Sequence, residues 1–232
     1  FKIAKDIDKF RELKLRLLNG SHTFSCGLAY FAGFDTVREA MENEYFSQFI
    51  KQLMYDEIIP SMISDEIPEA EAKAFADKVL DRYRNAFIDH HWISITAQYS
   101  SKMYLRNGFV IENYYKRFGH APALMALGMA AHILFLRSEK GADGQYYGEA
   151  DGNKYLITDE NAALYSTRWK KYRREFIVKN ILGNKDLWQA DFNELTGFAE
   201  EVTDWLNILK DTGGKNALKF AVSEKNTVNN EQ

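Results

Sequence analysis

Apolar residues recur at helical spacing along most of the chain, and runs with the strict alternation of a strand are few. The clearest stripe starts after Asp35, a residue type that often caps helices, and continues until Pro60. Its members are Val37, Ala40, Met41, Phe46, Phe49, Ile50, Leu53 and Met54. This spacing predicts one long amphipathic helix between Asp35 and Pro60.

Several other segments have the same period. Pro68 followed by Glu69 and Glu71 predicts a helix start, because acidic side chains suit the positive end of the helix dipole. The run from 123 to 136 has little polar surface and predicts a helix that is buried on all sides. Further helices are predicted from Pro68 to about Tyr83, from about His91 to Leu105 with a break at Asn107-Gly108, from Asp159 to Ile181 and from Asp191 to Leu209.

Two segments do not follow this pattern. Residues 141–158 combine glycines with tyrosines, which predicts a loop or a short hairpin. Residues 222–232 are polar and predict a flexible tail. There is no internal repeat, no linker and no apolar run of about 18 residues that could span a membrane. The simplest description is a single, mainly α domain covering 1–232.

Composition excludes several classes of protein. With 46% hydrophobic residues in 232, the chain can bury a real core, so it is not a disordered protein. The balance of 30 Lys and Arg against 33 Asp and Glu argues against nucleic acid or an anionic membrane as the main partner. Cys26 is the single cysteine, so no internal disulfide can form and a cytoplasmic location is expected.

The first candidate site is the segment around Lys14, Asn19 and His22. At about 100° per residue these positions point to roughly 0°, 140° and 80°, so one side of a helix can present all three to a small molecule. Apolar neighbours would partly desolvate Lys14 and favour the neutral amine, which can act as a base. Asn and His can donate hydrogen bonds to an oxygen that gains negative charge. The alternative is an ordinary helix with a solvated lysine and a core histidine.

The second candidate cluster runs from Arg82 to Trp92 and is followed by Lys102 and Arg106. Lys102 and Arg106 are four residues apart and share a helix face that could hold a carboxylate or a row of hydroxyls. A solvated basic face is the alternative. His90 and His91 are adjacent, so their side chains diverge, and no metal-ligand spacing links them to His22. No metal is predicted.

These two clusters carry a resemblance. The pattern Lys14-x-Arg16-x-x-Asn19-Gly20-x-His22, followed by Gly33 and by Thr-Val-x-Glu-Ala-Met after Asp35, resembles the start of the C-terminal domain of the polyol-specific long-chain dehydrogenase/reductase family, which includes the mannitol dehydrogenases. The stretch from Arg82 to Trp92 and Ser101-Lys102 is similar to the family's second motif, in the form of its tagaturonate reductase (altronate oxidoreductase) branch. The similarity extends from about Phe10 to Leu209.

The resemblance implies a metal-independent oxidoreductase that uses NAD. It implies that Lys14 is the general base and that Asn19 and His22 orient and polarise the reacting oxygen. It also implies that His90 and Lys102 help to bind substrate and that Asn85 supports the pocket. It also implies a Rossmann NAD-binding domain upstream of this chain, since no Gly-x-Gly-x-x-Gly turn is present here. The chain by itself would then be inactive.

Departures from the family pattern bear on the substrate. Ser94 stands where the mannitol branch has arginine, Ala86 where a proline is usual and His90 where that branch has aspartate. Loss of a negative charge favours an anionic sugar acid whose carboxylate pairs with Lys102 and Arg106. The expected reaction interconverts a keto-hexuronate and its sugar acid, such as tagaturonate and altronate. Mannonate or mannitol oxidation, or a non-catalytic helical binding module, are the alternatives.

Overall fold

The computed structural model describes residues 2–229 and the side chains of 7–223. Most of these residues are helical, which confirms the mainly α prediction. The α-helices of the described residues, labelled α1 to α15 in order, are Lys2–Leu13, Ser21–Phe31, Val37–Glu42, Glu44–Gln52, Ile59–Met62, Glu69–Tyr83, Trp92–Ile95, Tyr99–Met103, Phe109–Phe118, Ala123–Phe135, Ala162–Lys171, Arg174–Leu182, Lys185–Trp188, Phe198–Thr212 and Gly214–Asn229.

Other elements complete the described part of the chain. The first, second and third π-helices, Lys14–Gly20, Leu53–Ile58 and Tyr104–Gly108, each continue the preceding α-helix into the next one. A 3₁₀ turn covers Phe192–Glu194, and the strands are β1 (Glu139–Lys140), β2 (Tyr146–Ala150) and β3 (Asn153–Ile157).

Helices α2 and α10 pack against each other in the core. Helix α10 is almost entirely buried, as its apolar run predicts. A Cβ at Gly128 would lie 2.7 Å from the Phe24 ring and 2.8 Å from its carbonyl oxygen, so only glycine allows this approach. The buried Glu57 carboxylate accepts hydrogen bonds from the Leu124 and Met125 amides at 2.9 and 2.8 Å. It therefore caps the N-terminus of α10, where a negative charge also suits the helix dipole.

The prediction of one continuous helix between Asp35 and Pro60 is wrong. The chain breaks at Asn43, which has an extended backbone and accepts a hydrogen bond from the Phe46 amide, so it caps a new helix, α4. Thr36, one residue after the predicted cap, accepts from the Glu39 amide at 3.2 Å and begins α3. Pro60 lies in α5 directly after the second π-helix and does not end the helical path, which continues to Met62.

The predicted helix from about 91 to 105 is also interrupted, but the break lies within it and not at Asn107-Gly108. Gln98 has a left-handed backbone, with φ of 52°, and separates α7 from α8. At Asn107-Gly108, where a break was predicted, the third π-helix instead runs directly into α9. Asn107 is fully buried, and its side-chain amide donates to the Gly20 carbonyl, so this residue does not end the helix.

Residues 139–157 form a three-stranded antiparallel sheet in the order β1, β2, β3. Asp151 and Gly152, with φ of 50° and 77°, connect β2 to β3, as a tight hairpin turn requires. The predicted short hairpin is therefore confirmed, with β1 added at its edge. Tyr155 on β3 is buried and its hydroxyl donates to the Phe135 carbonyl at 2.9 Å, which attaches the sheet to the end of α10.

The last third of the chain differs from the prediction in its helix boundaries. The helix expected from 159 to 181 is divided into α11 and α12, and Asp191 caps the short 3₁₀ turn before α14. Helix α15 occupies the region where the flexible tail was predicted to begin at 222, and Val222 is buried. Residues 230–232 of that predicted tail lie outside the described residues. None of the described helices has the length and apolar character needed to cross a membrane.

Candidate active site

A cavity of about 170 Å³ opens where the first π-helix, the start of α2 and the end of α6 meet. Lys14, Asn19 and His22 all line it, so the structure brings the first candidate cluster together. Its other lining residues are Leu18, Val37, Arg82, Tyr83, Ile88 and His90. The cavity is therefore built from both of the sequence segments that carry candidate chemistry.

The first π-helix determines how Lys14 and Asn19 share a face. In a π-helix the hydrogen bonds join residues five apart, whereas they join residues four apart in an α-helix. Residues five apart therefore lie more nearly above one another than in the α-helix that the sequence pattern assumed. Short π-helical insertions are uncommon and are often found at functional sites.

Lys14 is exposed at the rim of this cavity, although the sequence predicts a partly desolvated lysine. The neighbouring Leu17 and Leu18 are buried in the core and do not cover the Lys14 side chain. The described residues therefore do not supply the apolar cover that the sequence argument expected.

His22 is buried, with 9% of its surface exposed, and its ring stacks on Tyr83 at a centroid distance of 4.1 Å. Burial is the main cause that lowers the pKa of His22 to about 3, and the charges of His90, Arg106 and Arg82 contribute to the same shift. The imidazole is thus neutral near pH 7. Its Nε2 atom has no hydrogen-bond partner among the described residues, which is unusual for a buried polar atom.

His90 reaches the cavity because its segment is attached to the start of α3. The Val37 amide donates to the His90 carbonyl at 2.9 Å, and the Trp92 amide donates to the Asp35 carbonyl at 2.9 Å. The His90 and His22 rings meet edge to face at 5.4 Å. Burial, followed by the charges of Arg82, His91 and Lys102, lowers the pKa of His90.

His91 has a different environment from His90. Its Nδ1 lies 3.1 Å from the Asp35 carboxylate, and this hydrogen bond raises the pKa of His91. The two adjacent side chains therefore diverge, as expected for consecutive residues. Among residues 7–223 no group of three or more His, Cys, Asp or Glu side chains is placed to hold a metal ion.

The structure does not place the other predicted site residues on the cavity wall. Lys102 donates to the Ile95 carbonyl at 3.2 Å, and Arg106 donates to the Thr23 hydroxyl at 3.0 Å. Asn85 is exposed, and its side chain accepts a hydrogen bond from the amide two residues later, at 2.9 Å. Lys102 and Arg106 still influence the cavity through charge, because they lower the pKa of His90 and His22 respectively.

A model of the mannitol dehydrogenase C-terminal domain matches residues 6–210. The chain belongs to the mannitol dehydrogenase family. Its similarity to curated members is clear: it is 31% identical over 225 residues to the altronate oxidoreductase of Pectobacterium carotovorum and 32% identical over 224 residues to that of Escherichia coli O1:K1. Each alignment covers 94% of this chain, and the chain spans 44% of the length of either relative.

Two solved dehydrogenase structures share the fold. The mannitol 2-dehydrogenase of Pseudomonas fluorescens, solved as a ternary complex with NAD and D-mannitol, superposes with a TM-score of 0.77 over 93% of this chain at 20% identity. A substrate-free D-sorbitol dehydrogenase superposes with a TM-score of 0.66 over 91% of the chain at 18% identity. These chains are matched over 41% of their own length.

Two polar cavity residues, Arg82 and Tyr83, are absent from the sequence-based list of site residues. Arg82 and Tyr83 line the cavity, and Tyr83 supports the ring of His22. The Tyr83 hydroxyl also lies 2.8 Å from the Ser21 hydroxyl and donates to the Leu18 carbonyl at 2.8 Å. Their position at the start of the second motif could have indicated a role in the site. The sequence does not show, however, that the end of α6 meets the first π-helix.

Proposed function

We propose that this domain is the substrate-binding and proton-transferring half of an NAD-dependent oxidoreductase that interconverts a keto-hexuronate and its sugar acid, such as tagaturonate and altronate. The convergence of Lys14, Asn19, His22 and His90 on one cavity carries this proposal. Similarity to altronate oxidoreductases supports the choice of substrate class. A cytoplasmic location stays a prediction.

In the oxidative direction the Lys14 amine, in its deprotonated form, accepts the proton of the reacting hydroxyl while the C–O single bond becomes a carbonyl. The Asn19 amide and the unpartnered His22 imidazole donate hydrogen bonds to that oxygen as its negative charge rises and falls. Because burial keeps His22 neutral, it can polarise the oxygen without adding a charge that would compete for the proton. In the reductive direction Lys14 returns the proton to the new alkoxide.

NAD, when bound, supplies the hydride acceptor. Residues 2–229 do not fit a dinucleotide site, because their sheet is a small antiparallel meander without the glycine-rich turn between a strand and a helix that holds a pyrophosphate. We therefore assign NAD binding to a Rossmann domain outside this chain, joined to it in the longer enzyme. The exposed side of Lys14 is then the face that meets the nucleotide domain.

Charge supports an anionic substrate. Arg82 lines the cavity, and Arg106 and Lys102 raise the positive potential behind it. Among the described residues no Asp or Glu side chain lines the cavity. A carboxylated sugar therefore enters a favourable field, whereas an uncharged hexitol gains nothing from it.

The test uses the full-length enzyme with Lys14→Ala. We expect turnover of altronate with NAD to fall by about 10²–10⁴-fold, because general base catalysis is lost. Binding of NADH, measured by fluorescence, should be unchanged. Lys51→Ala, at an exposed lysine on α4, is the matched control and should keep wild-type turnover.

A substrate panel separates the alternatives. Wild-type activity confined to hexuronate-derived acids supports the proposal, and activity with mannonate or mannitol instead of altronate would reassign the substrate. Full activity of Lys14→Ala contradicts the assigned base. Absence of turnover with every hexitol and sugar acid would favour a non-catalytic binding module.

A further inference from the structure

The first and third π-helices hold each other through side-chain hydrogen bonds to backbone carbonyls. From the first, Arg16 donates through one guanidinium nitrogen to the Leu105 and Arg106 carbonyls, at 2.9 and 2.7 Å. From the third, Arg106 donates to the Asn19 carbonyl at 3.4 Å, and Asn107 donates to the Gly20 carbonyl at 3.2 Å. The two segments are 89 residues apart in sequence, so this exchange is a tertiary contact.

The contact is close and buried. Asn107 is fully buried, and Arg16 is 8% exposed. A Cβ at Gly20 would lie 2.7 Å from the Asn107 side-chain oxygen and 3.3 Å from the Leu15 carbonyl, so glycine is needed where the two π-helices touch. Buried backbone carbonyls require partners, and here side chains of the opposite π-helix supply them.

This contact lies directly behind the cavity. The carbonyl that receives Arg106 belongs to Asn19, and the next one belongs to Gly20, two residues before His22. If the π-helix relaxed to an α-helix, its hydrogen bonds would move from residues five apart to residues four apart, and Asn19 and His22 would rotate away from Lys14. The backbone register therefore determines how closely the three side chains are aligned.

We propose that Arg16, Arg106 and Asn107 are positioning residues that hold the first π-helix in register and so align Lys14, Asn19 and His22. The proposal rests on the proposed function for the catalytic consequence. It replaces the sequence-based assignment of Arg106 to the substrate carboxylate, because Arg106 does not line the cavity and its guanidinium donates to the Asn19 carbonyl and the Thr23 hydroxyl.

The kinetic test uses Arg106→Ala and Asn107→Ala in the full-length enzyme with altronate and NAD. Small misplacement of reacting groups costs up to about 10²-fold in rate, so we expect kcat to fall about 10–100-fold while KM changes less than about threefold. Added guanidinium should restore part of the kcat of Arg106→Ala. Arg117→Ala is the matched control, because Arg117 donates to the Pro60 carbonyl at 2.9 Å but lies away from the cavity.

Two kinetic results would overturn the proposal. If Arg106→Ala raises KM for altronate and leaves kcat intact, Arg106 binds the carboxylate. If Asn107→Ala leaves both constants unchanged, the π-helix does not need this contact.

A second measurement is independent of the reaction. Amide hydrogen exchange at residues 17–22 should accelerate at least about tenfold in Asn107→Ala and remain unchanged in Arg117→Ala. Unchanged exchange in Asn107→Ala would contradict the register assignment. Accelerated exchange together with full activity of Lys14→Ala would retain the contact and reject the proposed function, so the two failures are distinguishable.

Discussion

His22 and His132 are two buried histidines with very different surroundings. Burial lowers the pKa of each to about 3, so both rings are neutral near pH 7. Each also has one ring nitrogen without a hydrogen-bond partner. His132 lies on α10 within a cage of aromatic rings, and its Nε2 is 2.8 Å from the Tyr165 hydroxyl. His22 stacks on one side against Tyr83 and lines a cavity on another.

Protonation state alone therefore does not identify a catalytic histidine. Both residues have the perturbed pKa that often marks functional sites, yet only His22 has open space beside it and other polar side chains around that space. His132 is better explained as a core residue whose Nε2 is satisfied by Tyr165. What separates them is the neighbourhood that the fold builds.

The largest expected effect is acid destabilisation, to which both histidines contribute. The unfolded chain takes up a proton on each histidine below about pH 6.5, whereas the folded chain does not until about pH 3. The free energy of unfolding is therefore undiminished by the histidines above pH 6.5. Between pH 6.5 and 3 it falls by roughly 1.4 kcal/mol per pH unit for each histidine. Urea unfolding of His132→Gln between pH 7 and 4 should show a shallower loss. A slope equal to that of the wild type would contradict the neutral state of His132.

The next effect separates the two histidines by activity. His22→Ala should lower kcat of the full-length enzyme about 10²–10³-fold, the usual cost of removing one donor to a developing oxyanion. His132→Gln should leave kcat of the folded enzyme near the wild-type value, because His132 does not line the cavity. Steady-state kinetics at pH 8 measures both. Equal losses of kcat would mean that the contrast between the two sites is wrong.

The smallest effect concerns the tyrosines beside the two rings. Tyr165→Phe leaves the His132 nitrogen unsatisfied and should cost about 1–3 kcal/mol of unfolding free energy with unchanged kcat. Tyr83→Phe removes the hydrogen bonds to Ser21 and the Leu18 carbonyl, so it should cost a similar amount and also lower kcat. Chemical denaturation and kinetics on both variants make the comparison. A Tyr83→Phe enzyme with normal kcat would show that its hydroxyl serves stability alone.

Several elements could be predicted from local sequence alone. Proline at 68 with acidic residues after it marks the start of α6, and the apolar run from 123 to 136 marks α10, because these signals depend on neighbours within a few residues. The break at Asn43 was missed because its cap, a single side-chain hydrogen bond to Phe46, competes with an apolar stripe that continues through it. Such a competition is decided by packing.

Some residues of the candidate site could likewise be predicted from the sequence, and others could not. The residues at 14, 19 and 22 are identifiable because their types and spacing suit proton transfer and resemble a family motif. Arg82 and Tyr83 join them only because the end of α6 packs against the first π-helix. Lys102 and Arg106 share a sequence spacing that suits a carboxylate, but they do not line the cavity, and they donate to the Ile95 carbonyl and the Thr23 hydroxyl respectively.

The sequence by itself determined the helical class, the family and the residues that carry the proposed chemistry, since periodicity and residue type are local properties. Only the tertiary structure decided that residues 14–20 form a π-helix and that Arg106 holds a backbone carbonyl. The physical reason is that the first π-helix is supported by donors 87 residues away at Arg106 and Asn107. Local propensity contains no information about those partners.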